Sequence, residues 1–407
     1  MPRTHSWPAG HWDWPIHVSH KHGIRVGEMI HVGGQVDLDS SGNVLHPNDI
    51  RTQTAAVMAN IGKVLAGFGA DLRDLTKLVA FYQAAPGANE EQLLADIARA
   101  IPGDAGPVVT LVPLPALAYP GMVVEIEAIA MLGRDGARLK REAVNLPALR
   151  RLPKPLSHGL RCGRMIWTGG LDAMDGEGRI TAAGDLIGQS KHVMERIGDV
   201  LGRFGADHND AVKINIYYTG GGRFEDWEGA ARTRAAYFTE PGPAATGIPV
   251  PRHADEGIRT RIEITAMRGE DGKRLPREHV WPKGHWDWPI HLPYKHGIKC
   301  GEMIYIGGQV ALTPEGQPID FDNMVSQTRI AMDNIRKVLA GFGAGFDDVV
   351  KVLAFYEGGA SGEALHENLK IRSGCFTEPG PASTGIPFPA LAYDGMVIEI
   401  DITAMQE

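Results

Sequence analysis

The stretch KHGIRVGEMIHVGGQV, residues 21–36, returns as KHGIKCGEMIYIGGQV at 295–310 and, more loosely, as SHGLRCGRMIWTGGL at 157–171. Such self-similarity marks a repeated architecture and fixes the register for the rest of the chain. In that register an apolar stripe occurs three times: Val57, Ile61, Val64, Leu65 and Phe68; Val193, Ile197, Val200, Leu201 and Phe204; Ala331, Ile335, Val338, Leu339 and Phe342. Steps of four, three and one put each set on one face of an amphipathic helix. Each stripe stops at a glycine, Gly69, Gly205 or Gly343, the residue that tolerates a left-handed cap. A strand follows, KLVAFY, KINIYY or KVLAFY, from Lys77, Lys213 and Lys351. Then come a second helical segment (roughly 89–101, 224–238 and 362–376), a Pro-rich loop and a closing strand: VVEIEAIAM from Val123, RIEITAM from Arg261 and VIEIDITAM from Val397. The predicted order per copy is strand, strand, helix, strand, helix, strand, an α/β unit. The alike, Gly-rich and charged segments GRDGARLKRE (133–142) and GEDGKRLPRE (269–278) separate units 1–135, 136–270 and 271–407.

The 407 residues exceed the usual size of one core, and 43% apolar with 22% charged residues is the composition of a globular chain. A net charge of −8 without a Lys/Arg run gives no electrostatic footprint for nucleic acid or anionic lipid. With neither an 18-residue apolar stretch nor a signal-like start, the expectation is a cytoplasmic protein acting on a small molecule, without nucleic-acid or membrane partners. Cys162 and Cys300 fall where the first copy has Val26, so they read as buried small apolar groups rather than reactive thiols.

Taken together, the GGQ after a hydrophobic strand, the QT…NI…VL…FGA helix, the KxxxFY strand, the EPGPA loop and the EIEAIAM strand resemble the RidA (YjgF) family, three times in tandem. The resemblance implies chorismate-mutase-like domains forming an intramolecular pseudo-trimer, with a central β-barrel, outer helices and clefts between copies. It also implies hydrolysis of enamines and imines to a carbonyl and ammonia, with no metal or organic cofactor. In the family a Glu at the first acidic position of the EIEAIA strand holds the attacking water, which maps to Glu125, Glu263 and Glu399. A carboxylate suits that task because it can orient and deprotonate water adding to an iminium carbon. The family's carboxylate-clamping Arg is absent, since the matching positions are Val109, Ala245 and Ser383.

WPAGHWDWPIH (7–17) and WPKGHWDWPIH (281–291) carry six of the eight tryptophans, while the middle copy has NLPALRRLPKPLS in their place. Trp14 and Trp288, with Trp12 and Trp286, can wall a cleft and exclude water, while His17, His22, His291 and His296 supply the side-chain type suited to a proton shuttle. A packing strap is the structural alternative. Arg259 and Arg261 are placed on the strand face of Glu263, where either can meet a substrate carboxylate. The combined expectation is a metal-free deaminase of a conjugated enamine of the 2-aminomuconate type, monomeric or dimeric. A ring-opening or amide hydrolase and a non-catalytic metabolite-binding protein stand as alternatives. Among the clefts, those receiving the Trp/His segment are favoured, with Glu399 as the working acid beside Ser383.

Overall fold

The computed structural model describes residues 2–84 and 89–406. Each copy folds into a six-stranded mixed sheet carrying two α-helices. In the first copy these are β1 (Arg3–Ser6), β2 (Gly23–Val26), β3 (Met29–Gln35), α1 (Ile50–Ala66), β4 (Leu75–Gln83), α2 (Glu90–Ala100), β5 (Val108–Leu114) and β6 (Val124–Met131). The second has β7 (Arg141–Val144), β8 (Gly159–Cys162), β9 (Met165–Thr168), α3 (Leu186–Gly202), β10 (Ala211–Thr219), α4 (Glu228–Ala235), β11 (Ala244–Val250) and β12 (Thr260–Met267). The third has β13 (Arg277–Val280), β14 (Gly297–Cys300), β15 (Met303–Gln309), α5 (Met324–Gly341), β16 (Val349–Glu357), α6 (Glu363–Ser373), β17 (Ala382–Phe388) and β18 (Ile398–Met405).

The strand order is β1-β2-β3-β6-β4-β5 and repeats in the other copies, with the closing strand at the centre of each sheet. Only the β4/β5 pair and its two counterparts run parallel, because α2, α4 and α6 serve as crossovers. The long helices bury the aliphatic residues of the predicted stripes, with Phe68, Phe204 and Phe342 just past their ends, and stop before Gly69, Gly205 and Gly343, which have φ of 74°, 70° and 66°.

Two strands per copy lie outside the sequence expectation. The segment after the Pro-rich loop (β5, β11, β17) is a full strand despite its prolines, which sit on an edge where no ladder N–H is needed. The ends of both linkers also form strands, β7 and β13, matching β1. Their arginines reach back into another copy: Arg141 Nη1 donates to Leu75 O at 2.8 Å, and Arg3 Nη2 donates to Met405 O at 2.9 Å.

The copies close on one another as a ring. Lys77 pairs with Glu263 at 2.6 Å, Lys213 with Asp401 at 2.9 Å and Lys351 with Glu127 at 2.8 Å, so each copy's lysine meets the acid of a different copy. All six side chains are largely buried, and breaking such a pair strands a charge in low dielectric. An apolar cluster draws on all three copies, and its Met29, Met131, Met165, Met267, Met303 and Met405 line a cavity of about 590 Å³ that the copies share. Parallel bridges join the sheets of neighbouring copies: Lys21 with Ala382, Val108 with Ser157 and Ala244 with Lys295. Cys162 and Cys300 are buried in the same cluster, and burial pushes their thiols up to about 12 and about 11. Among the described residues no helix is long and apolar enough to cross a membrane.

Candidate functional site

Ladder register locates the candidate acids. Glu125 faces Phe81 and Glu399 faces Phe355, each four residues after the strand lysine. In the second copy the residue at that place, facing Tyr217, is Arg261. Glu263 faces Asn215 and is the counterpart of Glu127 and Asp401. Its carboxylate accepts from Lys77, Asn215 and Thr110, so it is a structural acid in the central ring rather than a free one. Two copies, not three, therefore carry the candidate acid.

The GG doublet makes room for it. A Cβ on Gly34 would collide with the Glu125 carboxyl, and one on Gly308 with that of Glu399. The preceding glycine serves the junction: a Cβ on Gly33 would come within 2.6 Å of Ser383 O, and one on Gly307 within 2.6 Å of Ala245 O. Glu125 and Glu399 are buried, and loss of water around the carboxyl lifts each to about 8, against partial compensation from Lys351 and Lys213. Both are mainly protonated at neutral pH.

Three clefts lie between copies. The first, about 410 Å³, joins Glu125, Trp12 and Trp14 to Arg372, Ser383 and Gly385 of the third copy. A second, about 630 Å³, joins Glu399, Trp286 and Trp288 to Arg234, Ala245 and Trp227 of the second copy. The acid and the tryptophan segment thus come from one copy and the facing helix from another, so Ser383 accompanies Glu125 and not the Glu399 of its own copy. At the third junction the space is taken by ion pairs. Arg261 donates to Glu90 at 2.8 and 2.9 Å and to Asp172 at 2.8 Å, and Arg150 joins Glu90, Asp172 and Asp255. A cleft remnant of about 330 Å³ is walled by Leu149, Leu152 and Ser157. Arg259 is half-buried, and its Nε donates to Gly184 O at 3.4 Å.

Sequence reasoning missed two residues. In the register of the buried helix faces, Arg372 of α6 and Arg234 of α4 stand four residues before Phe376 and Phe238, where α2 has Ile97. Both guanidiniums are buried, with no carboxylate paired to them among the described residues. Desolvation lowers Arg372 to about 10. Asn368 accepts from its Nε at 2.8 Å and Ser383 from its Nη1 at 3.2 Å, while Nη2 has no partner. Nothing in the sequence shows that these two helix arginines, among many exposed ones, face inward; their recurrence at one position of two copies was the available signal.

The histidines divide by depth. His22 is stacked on Trp14 at 5.4 Å, donates from Nε2 to Trp12 O at 3.0 Å, and is held near pKa 3 by burial; His296 repeats this against Trp288 and Trp286. Both stay neutral and brace the aromatic wall instead of relaying protons. His17 and His291 are 83% and 80% exposed, beside Glu378 and Glu240, and line neither cleft. Gln35 of the GGQ motif ties the segment down, its Oε1 accepting from His11 Nε2 at 2.8 Å and Trp12 Nε1 at 3.2 Å. Gln309 does the same with His285 and Trp286, and the middle copy, lacking the segment, has Leu171 at that place.

Three tandem α/β units with an acid in two of the junctional clefts define a fused RidA-type architecture. The family model described as Endoribonuclease L-PSP matches residues 16–132, 150–268 and 289–406, and the chain belongs to that family three times over. RutC family protein PYRAB12510 of Pyrococcus abyssi is 30% identical over 115 residues, 28% of this chain and 87% of its own. RutC family protein YjgH of Escherichia coli K12 is 33% identical over 83 residues, 20% of this chain and 61% of its own. TdcF of E. coli K12, whose name proposes a reactive intermediate deaminase, is 27% identical over 63 residues, 16% of this chain and 48% of its own. A solved chorismatase shares the fold over 82% of this chain and 93% of its own, with a TM-score of 0.55 and 11% identity.

Proposed function

We propose that the protein is a hydrolytic deaminase of carboxylate-bearing conjugated enamines, of the 2-aminomuconate type, working at the Glu125 and Glu399 clefts. One observation carries this reading: a buried, protonated glutamate faces a cleft that also holds a buried arginine without a counter-ion, and the two occur together. Where Glu is replaced by Arg261, the facing helix has Ile97 in place of the arginine. The deaminase named among the relatives supports the same chemistry.

Arg372 or Arg234 holds the substrate carboxylate, and Trp14 or Trp288 covers the conjugated body. The protonated Glu gives its proton to the enamine β-carbon, forming an iminium and a carboxylate. That carboxylate takes a proton from water as the oxygen bonds to the iminium carbon. The carbinolamine nitrogen then receives the proton from Glu; ammonia leaves as the carbonyl forms, and the hydroxyl proton returns to Glu. The net change is enamine plus water to ketone plus ammonia, with the acid restored.

The test is ammonia release from 2-aminobutenoate generated in situ from threonine by a dehydratase. The full chain should accelerate it, and the Glu125→Gln/Glu399→Gln double variant should lose the acceleration by roughly 10²- to 10⁴-fold, the scale of general acid–base catalysis. A double variant as active as the parent removes the carboxyl mechanism; a parent chain without acceleration removes deamination and leaves a binding protein.

A further inference from the structure

The two Glu clefts are built from the same elements yet are lined differently. Towards Glu125, helix α6 presents Leu365 and Leu369; towards Glu399, the corresponding positions around α4 are Trp227 and Ala231. Tyr294 lines the Glu399 cleft where the first copy has His20, whose Nδ1 is taken up by Pro381 O at 3.2 Å. Tyr119 and Tyr393 are counterparts, but the Tyr119 hydroxyl is bonded to His366 Nε2 at 2.8 Å, while that of Tyr393 meets no partner among the described residues.

These exchanges leave the Glu399 cleft larger and rich in hydrogen-bond donors that have nothing to bond. Among the described residues Trp227 Nε1, Arg234 Nε and the Tyr393 hydroxyl are buried without a partner, Arg234 Nη1 donates to Ser190 Oγ at 3.2 Å, and the Tyr294 hydroxyl, set against Arg234, donates its proton to nothing. Trp227, Arg234 and Tyr294 are 6%, 4% and 3% exposed and line the cleft. A buried donor without an acceptor is costly, and four around one cavity suit a ligand that brings several oxygens. The walls are flat: Trp286, Trp288 and Tyr218 line the same space.

We infer that the Glu399 cleft binds a planar, ring-sized acid carrying both a carboxylate and oxygen substituents on the ring. Arg234 and Tyr294 take the carboxylate, the ring lies against the tryptophans, and Tyr393 with Trp227 donates to the ring oxygens. The Glu125 cleft, with leucines in place of Trp227 and Ala231, takes small carboxylates only. This rests on the arginine-anchored clefts proposed above and adds the body of the ligand.

Calorimetry on the full chain with three probes tests it. 3,4-Dihydroxybenzoate should bind at one site per chain, at least tenfold tighter than benzoate, and 2-oxobutanoate at two. Ala231→Leu, which gives the Glu399 cleft the side chain of its counterpart Leu369, should weaken dihydroxybenzoate by about a hundredfold while the Glu125 cleft keeps its 2-oxobutanoate. Tyr393→Phe should weaken dihydroxybenzoate roughly three- to tenfold, the effect of one neutral hydrogen bond, and leave benzoate unchanged. Two dihydroxybenzoate sites, no preference over benzoate, no binding at all, or an Ala231→Leu chain that binds as the parent does would each overturn the inference. Failure of 2-oxobutanoate alone would instead strike the arginine anchor, and ammonia release reports the deaminase chemistry independently of all three probes.

Discussion

Both carboxylate oxygens of Glu90 are held by the Arg261 guanidinium, at 2.8 and 2.9 Å, across the junction of the first and second copies. The pair fills a cleft that the other two junctions keep open, and a site has become a clasp. Arg261→Met would leave Arg150 as the cation paired with Glu90 and Asp172 among the described residues, with the Tyr82 hydroxyl still donating to Glu90 at 2.7 Å. Breaking a buried network on one side costs about 3–5 kcal/mol, so the melting temperature should fall by several degrees while ammonia release per folded molecule is retained. A melting curve unchanged by the substitution would show that the clasp adds no stability.

Glu263→Gln separates the central ring from the sites. Its carboxylate answers Lys77, so the change should lower stability and leave turnover per folded molecule intact, whereas Glu125→Gln and Glu399→Gln should each remove the contribution of one cleft. Parallel thermal melts and ammonia assays on the three variants distinguish these roles.

The raised carboxyls make both activity and stability depend on pH in a stated direction. A carboxyl near 8 in the folded chain and near 4.5 when unfolded is protonated only in the folded state between those values. Its stabilising contribution is therefore complete below about pH 4.5 and is lost as pH rises towards 8. The Glu125→Gln/Glu399→Gln chain should show a shallower fall of stability over that interval in denaturant titrations. Turnover, which begins from the protonated acid, should decline as pH passes about 8. A rate that climbs through that pH would assign the first step to the carboxylate instead.

The ring of lysine–acid pairs predicts a monomer, since the fused copies already satisfy one another. Light scattering should give a mass near 44.0 kDa. Cutting at Gly269 removes Asp401 from Lys213 and Lys351 from Glu127, so the two-copy fragment should aggregate. A soluble fragment that melts cooperatively would show that two copies suffice.

The helices, their glycine stops and the order of the copies are legible in the sequence because apolar spacing and cap chemistry are local. The site is less so. RIEITAM aligned on its first acid puts Glu263 beside Glu125; aligned on its terminal Met267, against Met131 and Met405, it puts Arg261 there, and only the ladder decides. His17 and Arg372 failed for the opposite reason: whether a polar side chain faces solvent or a cleft depends on packing between copies, which no periodicity within one copy encodes. Ser383 was assigned to the acid of its own copy, but it serves Glu125 because each cleft crosses a junction.

Arg3 reaches Met405 O at 2.9 Å, which brings the two ends of the chain side by side and lets the first strand meet the last copy as β7 and β13 meet the copies before them. The three seams between copies are thus made alike, by Arg3, Arg141 and Arg277. A circular permutant with its old ends joined and a new opening in the 133–140 linker should fold and keep both Glu clefts, since neither is crossed by that linker. The order of the copies along the chain would then matter less than the asymmetry carried by the clefts themselves.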